Sequence, residues 1–240
     1  ENERYGLFVG HAESSIVTLT RAFGGDLINA DGTQSMLLED KSVEALRWAY
    51  KLAVEDKVLP AVGAIENVAS AQVEGKLTMN WGGSLNVRNY DRDIKAAGAD
   101  PSVAEVSQIL LPTLPDGRFP SQIRGGTWNI LQGTEHADVA FEFIRHIAEK
   151  EGSISFNLVS GNFAAVRPDV VAALIADNPI HEWFLSSLEN GIVAHAPVNS
   201  RGREYTDAVL QYTDLLLDPN QPVDFEEGLQ TLHDNVQAVL

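Results

Sequence analysis

Glu74-Gly75-Lys76-Leu77-Thr78-Met79-Asn80-Trp81-Gly82-Gly83 holds a helix stop, a strand and a stretch of bare backbone in one short run. Gly75 can take the left-handed conformation that ends a helix, so the segment before it, roughly 64 to 74, is expected to be helical. Lys76 to Trp81 reads as a strand. Gly82-Gly83 then removes two side chains where the chain leaves the sheet, which lets another molecule approach the backbone. Beyond the glycines, Leu85, Val87 and Ile94 carry a helical pattern over 84 to 97. Val106 to Leu111 is a short apolar strand stopped by Pro112, and Pro115-Asp116-Gly117 is a turn. Strands separated by helices predict a three-layer α/β body.

The flanking sequence repeats this grammar. Ile16, Leu19 and Phe23 space a helix from Ser15 to Phe23, stopped at Gly24-Gly25. Asp31-Gly32 marks a turn. Asp40 is expected to cap a helix running to about Asp56, with Val43, Leu46, Tyr50 and Ala53 as its buried face and Pro60 beyond it. After Gly125-Gly126 a strand is expected over Thr127 to Leu131. A regular helix follows from about Glu135 to Glu151, closed by Gly152, with Val139, Ala140, Phe143, Ile144, Ile147 and Ala148 as its buried stripe. Phe163 to Val166 reads as a strand, and Pro168 opens a helix that Pro179 ends. Further helices are expected over 180 to 190, 204 to 217 and 225 to 240. The last has Asp224 and Glu227 at capping-box spacing and an apolar face of Phe225, Leu229, Leu232, Val236 and Val239.

Composition narrows the chemistry. The 240 residues are 44% hydrophobic, enough to bury a substantial core, and carry a formal charge of -17. That charge disfavours nucleic acid and anionic membrane surfaces, both of which require clustered Lys and Arg. With no cysteine, neither a disulfide framework nor a thiolate zinc site can form. No run of about 18 apolar residues is present to span a bilayer. The chain opens at Glu1-Asn2-Glu3 without an initiator methionine, which is expected of a processed or trimmed product.

Catalytic signatures are missing as well. The sequence contains no Gly-x-Ser-x-Gly elbow, no His-Glu-x-x-His, no phosphate loop and no Gly-x-Gly-x-x-Gly after a strand. Its histidines, at 11, 136, 146, 181, 195 and 233, fall at no metal-ligand spacing. The acid-rich run from Asp218 has Leu229 where a calcium loop needs its final glutamate, so a solvated loop and a helix cap explain it better. Glu13 and Asp26 could be read as paired carboxylates, but acids are common enough here for chance to supply such a pair. No cofactor, metal ligand or catalytic residue is assigned.

The order of the pieces says more than any one of them. Phe23-Gly24-Gly25-Asp26-Leu27 with Asp31-Gly32-Thr33, then Val43-Glu44-Ala45-Leu46, then Glu74 to Met79 ahead of Gly82-Gly83, resembles the extracellular solute-binding proteins of carbohydrate ABC importers, the maltose-binding-protein-like group. Gly125-Gly126-Thr127-Trp128, the helix over 137 to 147, Arg203-Glu204-Tyr205 and Phe225 to Leu229 continue the likeness. It implies a periplasmic-binding-protein-like (type II) α/β fold, present here as a helix-rich three-layer lobe plus a piece of the second lobe. Residues 1–121 and 163–240 would build the carboxy-terminal lobe and 122–162 would belong to the amino-terminal one. The chain would thus be the carboxy-terminal portion of a longer protein. The helix carrying Phe143, detached from most of its lobe, is then expected to expose apolar surface and pack on a neighbouring copy, or else the remaining residues were removed by proteolysis.

By position, the resemblance implies ligand contacts at Glu13, Ser14 and Ser15, at Trp81, Gly82, Gly83, Ser84 and Asn86, at Gly125, Gly126 and Trp128, and at Arg203 and Tyr205, with Arg201 nearby. Polar groups at 13 to 15 stand where the family often has aromatics, which disfavours a long stacked oligosaccharide. Trp81 precedes its glycines and is equally readable as core. What the likeness implies is a non-catalytic protein, periplasmic or extracellular, lipid-anchored through a leading segment in the manner of a lipoprotein. It would bind a small solute, a sugar or oligosaccharide, and pass it to the permease subunits of an importer. A carbohydrate-active enzyme with an unrecognised acid pair and a non-catalytic scaffold are the competing readings.

Overall fold

A computed structural model describes residues 4–10, 12–82, 96, 113–120, 122–123, 128–160, 167–177, 179, 181–193 and 197–240. The expected strand at 106 to 111, the strand at 163 to 166 and, apart from Ala96, the helix at 84 to 97 lie outside these residues.

A strand that the sequence reading above does not include, β1 (Tyr5–Val9), opens the described chain and pairs in parallel with β2 (Leu77–Trp81), Leu7 opposite Met79 and Val9 opposite Trp81. A parallel pair needs a long crossover. Here it is made of α1 (Glu13–Ala22), α2 (Asp40–Tyr50) and α3 (Val68–Val73). Gly24, with φ +89°, provides the left-handed turn after α1, where its N–H donates to the Arg21 carbonyl. Gly25 is required for a different reason. A Cβ there would stand 2.6 Å from Ser42 Oγ, and that hydroxyl donates to the Asp26 carbonyl at 2.8 Å, tying the turn to α2.

Entry to α2 comes one residue earlier than expected. Extended Glu39 occupies the cap position with no side-chain hydrogen bond, and Asp40 is the first helical residue, where its charge still complements the helix dipole. Past Tyr50 the helix widens into a π turn, Lys51–Glu55. Lys57 then takes φ 53° and the chain doubles back, so that the Val58 carbonyl accepts from Gly6 N–H beside β1. Helix α3 is shorter than expected. It starts where the Asn67 side chain accepts from the Ser70 N–H at 2.8 Å, with turns in the preceding residues.

The second short sheet pairs β3 (Gln122–Ile123) in parallel with β4 (Ile192–Val193). Trp128 to Leu131 is not a strand, and no described strand pairs with it. The long helix expected from 135 to 151 is two helices, α4 (Ala137–Ala148) and α5 (Lys150–Ser160), broken where Glu149 becomes extended at ψ 157°. Gly152 therefore lies inside α5 instead of closing α4. A Cβ on it would fall 1.9 Å from the His146 carbonyl oxygen, so the glycine is what lets the two helices meet this closely. Helices α6 (Pro168–Asp177) and α7 (His181–Asn190) follow, with α5 packed on α6 and α6 on α7.

The two ends of the chain share the main core. Ile16 and Val17 of α1 and Leu46 of α2 pack with Val209 and Leu216 of α8 (Gly202–Leu216) and with Leu229, Leu232 and Val236 of α9 (Phe225–Val239). As read from sequence, Asp224 caps α9, accepting from the Glu226 and Glu227 N–H groups at 3.0 and 3.1 Å. In contrast, none of the stripe expected on α4 is buried. Val139 is 62% exposed and Phe143 55%.

Candidate functional site

Strands β1 and β2 end at the same edge. Gly10 follows Val9 and Gly82 follows Trp81, across a register that pairs Val9 with Trp81. From Gly10 the chain bends at once into α1, with Ala12 N–H donating to the Gly10 carbonyl at 2.8 Å and Ser15 N–H to the Ala12 carbonyl at 2.9 Å. This bend brings the first turn of α1 over the end of β2. A Cβ on Gly10 would sit 3.4 Å from Ser15 Oγ and 3.8 Å from the Trp81 carbonyl oxygen. Glu13, Ser15, Trp81 and Gly82 therefore gather at one place, where two parallel strands end and a helix begins. In open α/β folds such carboxyl ends are the usual ligand crevice.

The individual side chains differ in how far they face solvent. Glu13 is 3% exposed, while Ser14 and Ser15 are half-buried and Gly82 is open. The half-buried Trp81 ring packs with Phe23 against Leu19, Ala45 and Ala49, so it braces α1 on α2 whatever else it touches. Trp128 is 52% exposed and stands edge-on to two rings, Phe143 at 6.0 Å and Phe156 at 5.7 Å, so it belongs to the α4–α5 unit. β3, shortly ahead of it, lies against α1. Gly83, Ser84, Asn86, Gly125 and Gly126 are outside the described residues.

No protein-family model matches the chain, and no curated protein matches its sequence. Solved structures do. The maltose/maltodextrin-binding domain MalE from Bdellovibrio bacteriovorus, bound to maltotriose, aligns over 98% of this chain and 60% of its own, with a TM-score of 0.74 and 18% identity. MalX from Streptococcus pneumoniae in complex with maltopentaose aligns over 98% and 61%, with a TM-score of 0.76 and 15% identity. An ABC transporter solute-binding protein from Thermotoga lettingae, bound with alpha-D-tagatose, aligns over 99% and 60%, with a TM-score of 0.71 and 17% identity. The chain has the maltose-binding-protein-like type II periplasmic-binding-protein fold. It spans about 60% of the length of these structures.

Within this periplasmic-binding-protein-like fold, the late residues expected at the ligand differ in their surroundings. Tyr205 is 3% exposed and lies inside the main core, where its ring is fixed by packing between α8 and its neighbours. Arg203 points into solvent with Asp207 at 3.8 Å. Arg201 donates to the Ala238 carbonyl at 3.0 Å, and Asn199 donates to the Val239 and Leu240 carbonyls. Together they satisfy the carboxy-terminal end of α9, whose last carbonyls have no partner within the helix. Asp26 is held in an ion pair. It accepts from Arg21 Nε at 3.0 Å and Nη2 at 2.9 Å, and Arg21 is almost wholly buried.

Gly10 is the site position that the sequence reading missed. Its signal was available, since Tyr5-Gly6-Leu7-Phe8-Val9 is rich in strand formers and a glycine follows it directly. Among the described residues, no helix is long and apolar enough to cross a membrane.

Proposed function

We propose that this chain is the solute-binding part of a carbohydrate importer system. It holds a small sugar or short oligosaccharide at the carboxyl ends of β1 and β2 and presents it to importer permease subunits without catalysing a reaction. The observation that carries the reading is the meeting of Gly10, Ser15 and Trp81 at the shared end of two parallel strands, within a fold whose solved examples are described as binding maltotriose, maltopentaose and tagatose. Gly82 supplies open backbone, the hydroxyls of Ser14 and Ser15 supply donors and acceptors, and Trp81 and Trp128 supply flat apolar faces for a pyranose ring.

In this reading 1–121 and 163–240 form one lobe, supported by the core that α1 and α2 share with α8 and α9. Residues 122–162 belong to the second lobe. A ligand bridging the lobes favours their closed arrangement through its greater affinity for that state, and the importer recognises the closed arrangement. The protein works outside the cytoplasmic membrane, held there by a lipid anchor.

Intrinsic tryptophan fluorescence tests this directly. The chain is titrated with glucose, maltose, maltotriose, maltopentaose and tagatose while the sugars are followed by chromatography. Saturable quenching with intact sugar is the expected result, weakened in Gly82→Val, where added methyls crowd the open backbone. Conversion of any sugar to product refutes the binding-protein reading in favour of an enzyme, and a flat response to the whole panel refutes a carbohydrate ligand.

A further inference from the structure

We infer that Leu19 is a positioning residue for the ligand site, holding the Trp81 indole at the end of β2 in one orientation. The inference rests on the binding reading above. Trp81 is the last residue of β2, and Gly82, which follows it, is open, so the next residue has no side chain to steady the ring. Support comes from two helices instead. The indole, with Phe23, packs on Leu19 of α1 and on Ala45 and Ala49 of α2, all three buried. Leu19 is the one large side chain of the three and each alanine contributes a single methyl, so Leu19 supplies most of the contact surface. Trp81 itself stays half-buried, which leaves part of the residue to solvent at the shared end of β1 and β2.

The same helix sets the polar half of the site. Ser15 and Leu19 stand four residues apart on α1 and so share one face. Ser15 brings its hydroxyl beside Gly10, and one turn later Leu19 packs against the Trp81 ring. Helix α1 is locked in turn to α2, because Ser42 Oγ accepts from the Asp26 N–H at 3.3 Å as well as donating to the Asp26 carbonyl, and Ala45 and Ala49 continue the Ser42 face of α2. Hydroxyl and indole therefore keep a fixed separation before any ligand arrives. A ring already held in place gives up little rotamer freedom on binding. Having to immobilise a free side chain weakens affinity by about two- to tenfold, and that is the loss expected without Leu19, with no ligand contact removed.

A double-mutant cycle read by titration calorimetry with the same sugars tests the inference on the 240-residue chain. Leu19→Ala should weaken binding by about two- to tenfold, and Leu19→Met, which nearly conserves the volume, should restore most of it. In a Trp81→Leu background Leu19→Ala should add nothing, because Leu19 acts through the indole. A merely structural role lowers the melting temperature in both backgrounds and leaves the affinity of the folded protein unchanged. Circular dichroism checks that each variant is folded at the assay temperature, and Leu19→Val, a smaller truncation, replaces Leu19→Ala if the latter is not. Binding by Leu19→Ala as tight as that of the parent chain overturns the inference, and so does an equal loss with and without Trp81. A parent chain that binds none of the sugars refutes the binding reading itself, and the inference with it.

Discussion

Gly152→Ala separates helix propensity from packing, because the two predict opposite signs. Judged as a residue inside α5, the change should stabilise the protein by about 1 kcal/mol, since alanine is the better helix former. The tertiary structure says otherwise. The new Cβ would lie 1.9 Å from the His146 carbonyl oxygen and 2.8 Å from its carbon. Backbone atoms cannot swing aside as a side-chain tip can. Reaching even 3.0 Å needs a separation of at least about 1.1 Å (3.0 less 1.9) between α4 and α5. Overpacking typically costs about 1–3 kcal/mol, and a backbone collision belongs at the top of that range. Subtracting the propensity gain leaves a loss of about 2 kcal/mol, a fall in Tm of about 4–8 °C for a chain of this size. Urea denaturation followed by circular dichroism gives the stability, and amide exchange on α4 and α5 shows whether the loss is confined to that hairpin. A neutral or stabilising Gly152→Ala would refute the close α4–α5 contact.

Three further outcomes follow from single contacts. Asp224→Ala removes the acceptor for two N–H groups at the start of α9 and should cost about 1 kcal/mol in chemical denaturation, with Asp224→Ser recovering most of it. Asp26→Ala takes the carboxylate from buried Arg21 and from the Leu27 N–H and should cost about 1–3 kcal/mol in chemical denaturation. Burial holds the His181 pKa below its ordinary value, partly opposed by Asp177. The folded state therefore binds this proton less readily than the unfolded chain, and the His181 contribution is intact above about pH 6.5 and is lost as pH falls through the folded-state pKa. Thermal melts at descending pH should show a shallower decline in His181→Gln. An identical decline in both proteins would rule out His181 as its source.

The sequence by itself determined the elements whose signals are local. Asp224 with the spacing of Phe225, Leu229, Leu232 and Val236 defines α9 completely, because a cap and a periodic face are both encoded within a few residues. Gly24 and Gly75 mark helix ends for the same reason, as left-handed positions that other residues rarely take. The order of such elements was enough to suggest the fold class. Tertiary structure alone decided what depends on residues far apart in the chain. Tyr205 and Arg203 look alike as polar residues at a helix start, yet one lies in the core and the other in solvent, because burial is set by what α1, α2 and α9 bring alongside. The apolar stripe of α4 was legible as a stripe, but periodicity records only that a face requires a partner, and whether one is present is a property of the assembled chain. Gly152 shows the same limit most sharply. Nothing near it in sequence distinguishes a helix stop from a point of contact, and only the approach of the His146 carbonyl fixes which it is.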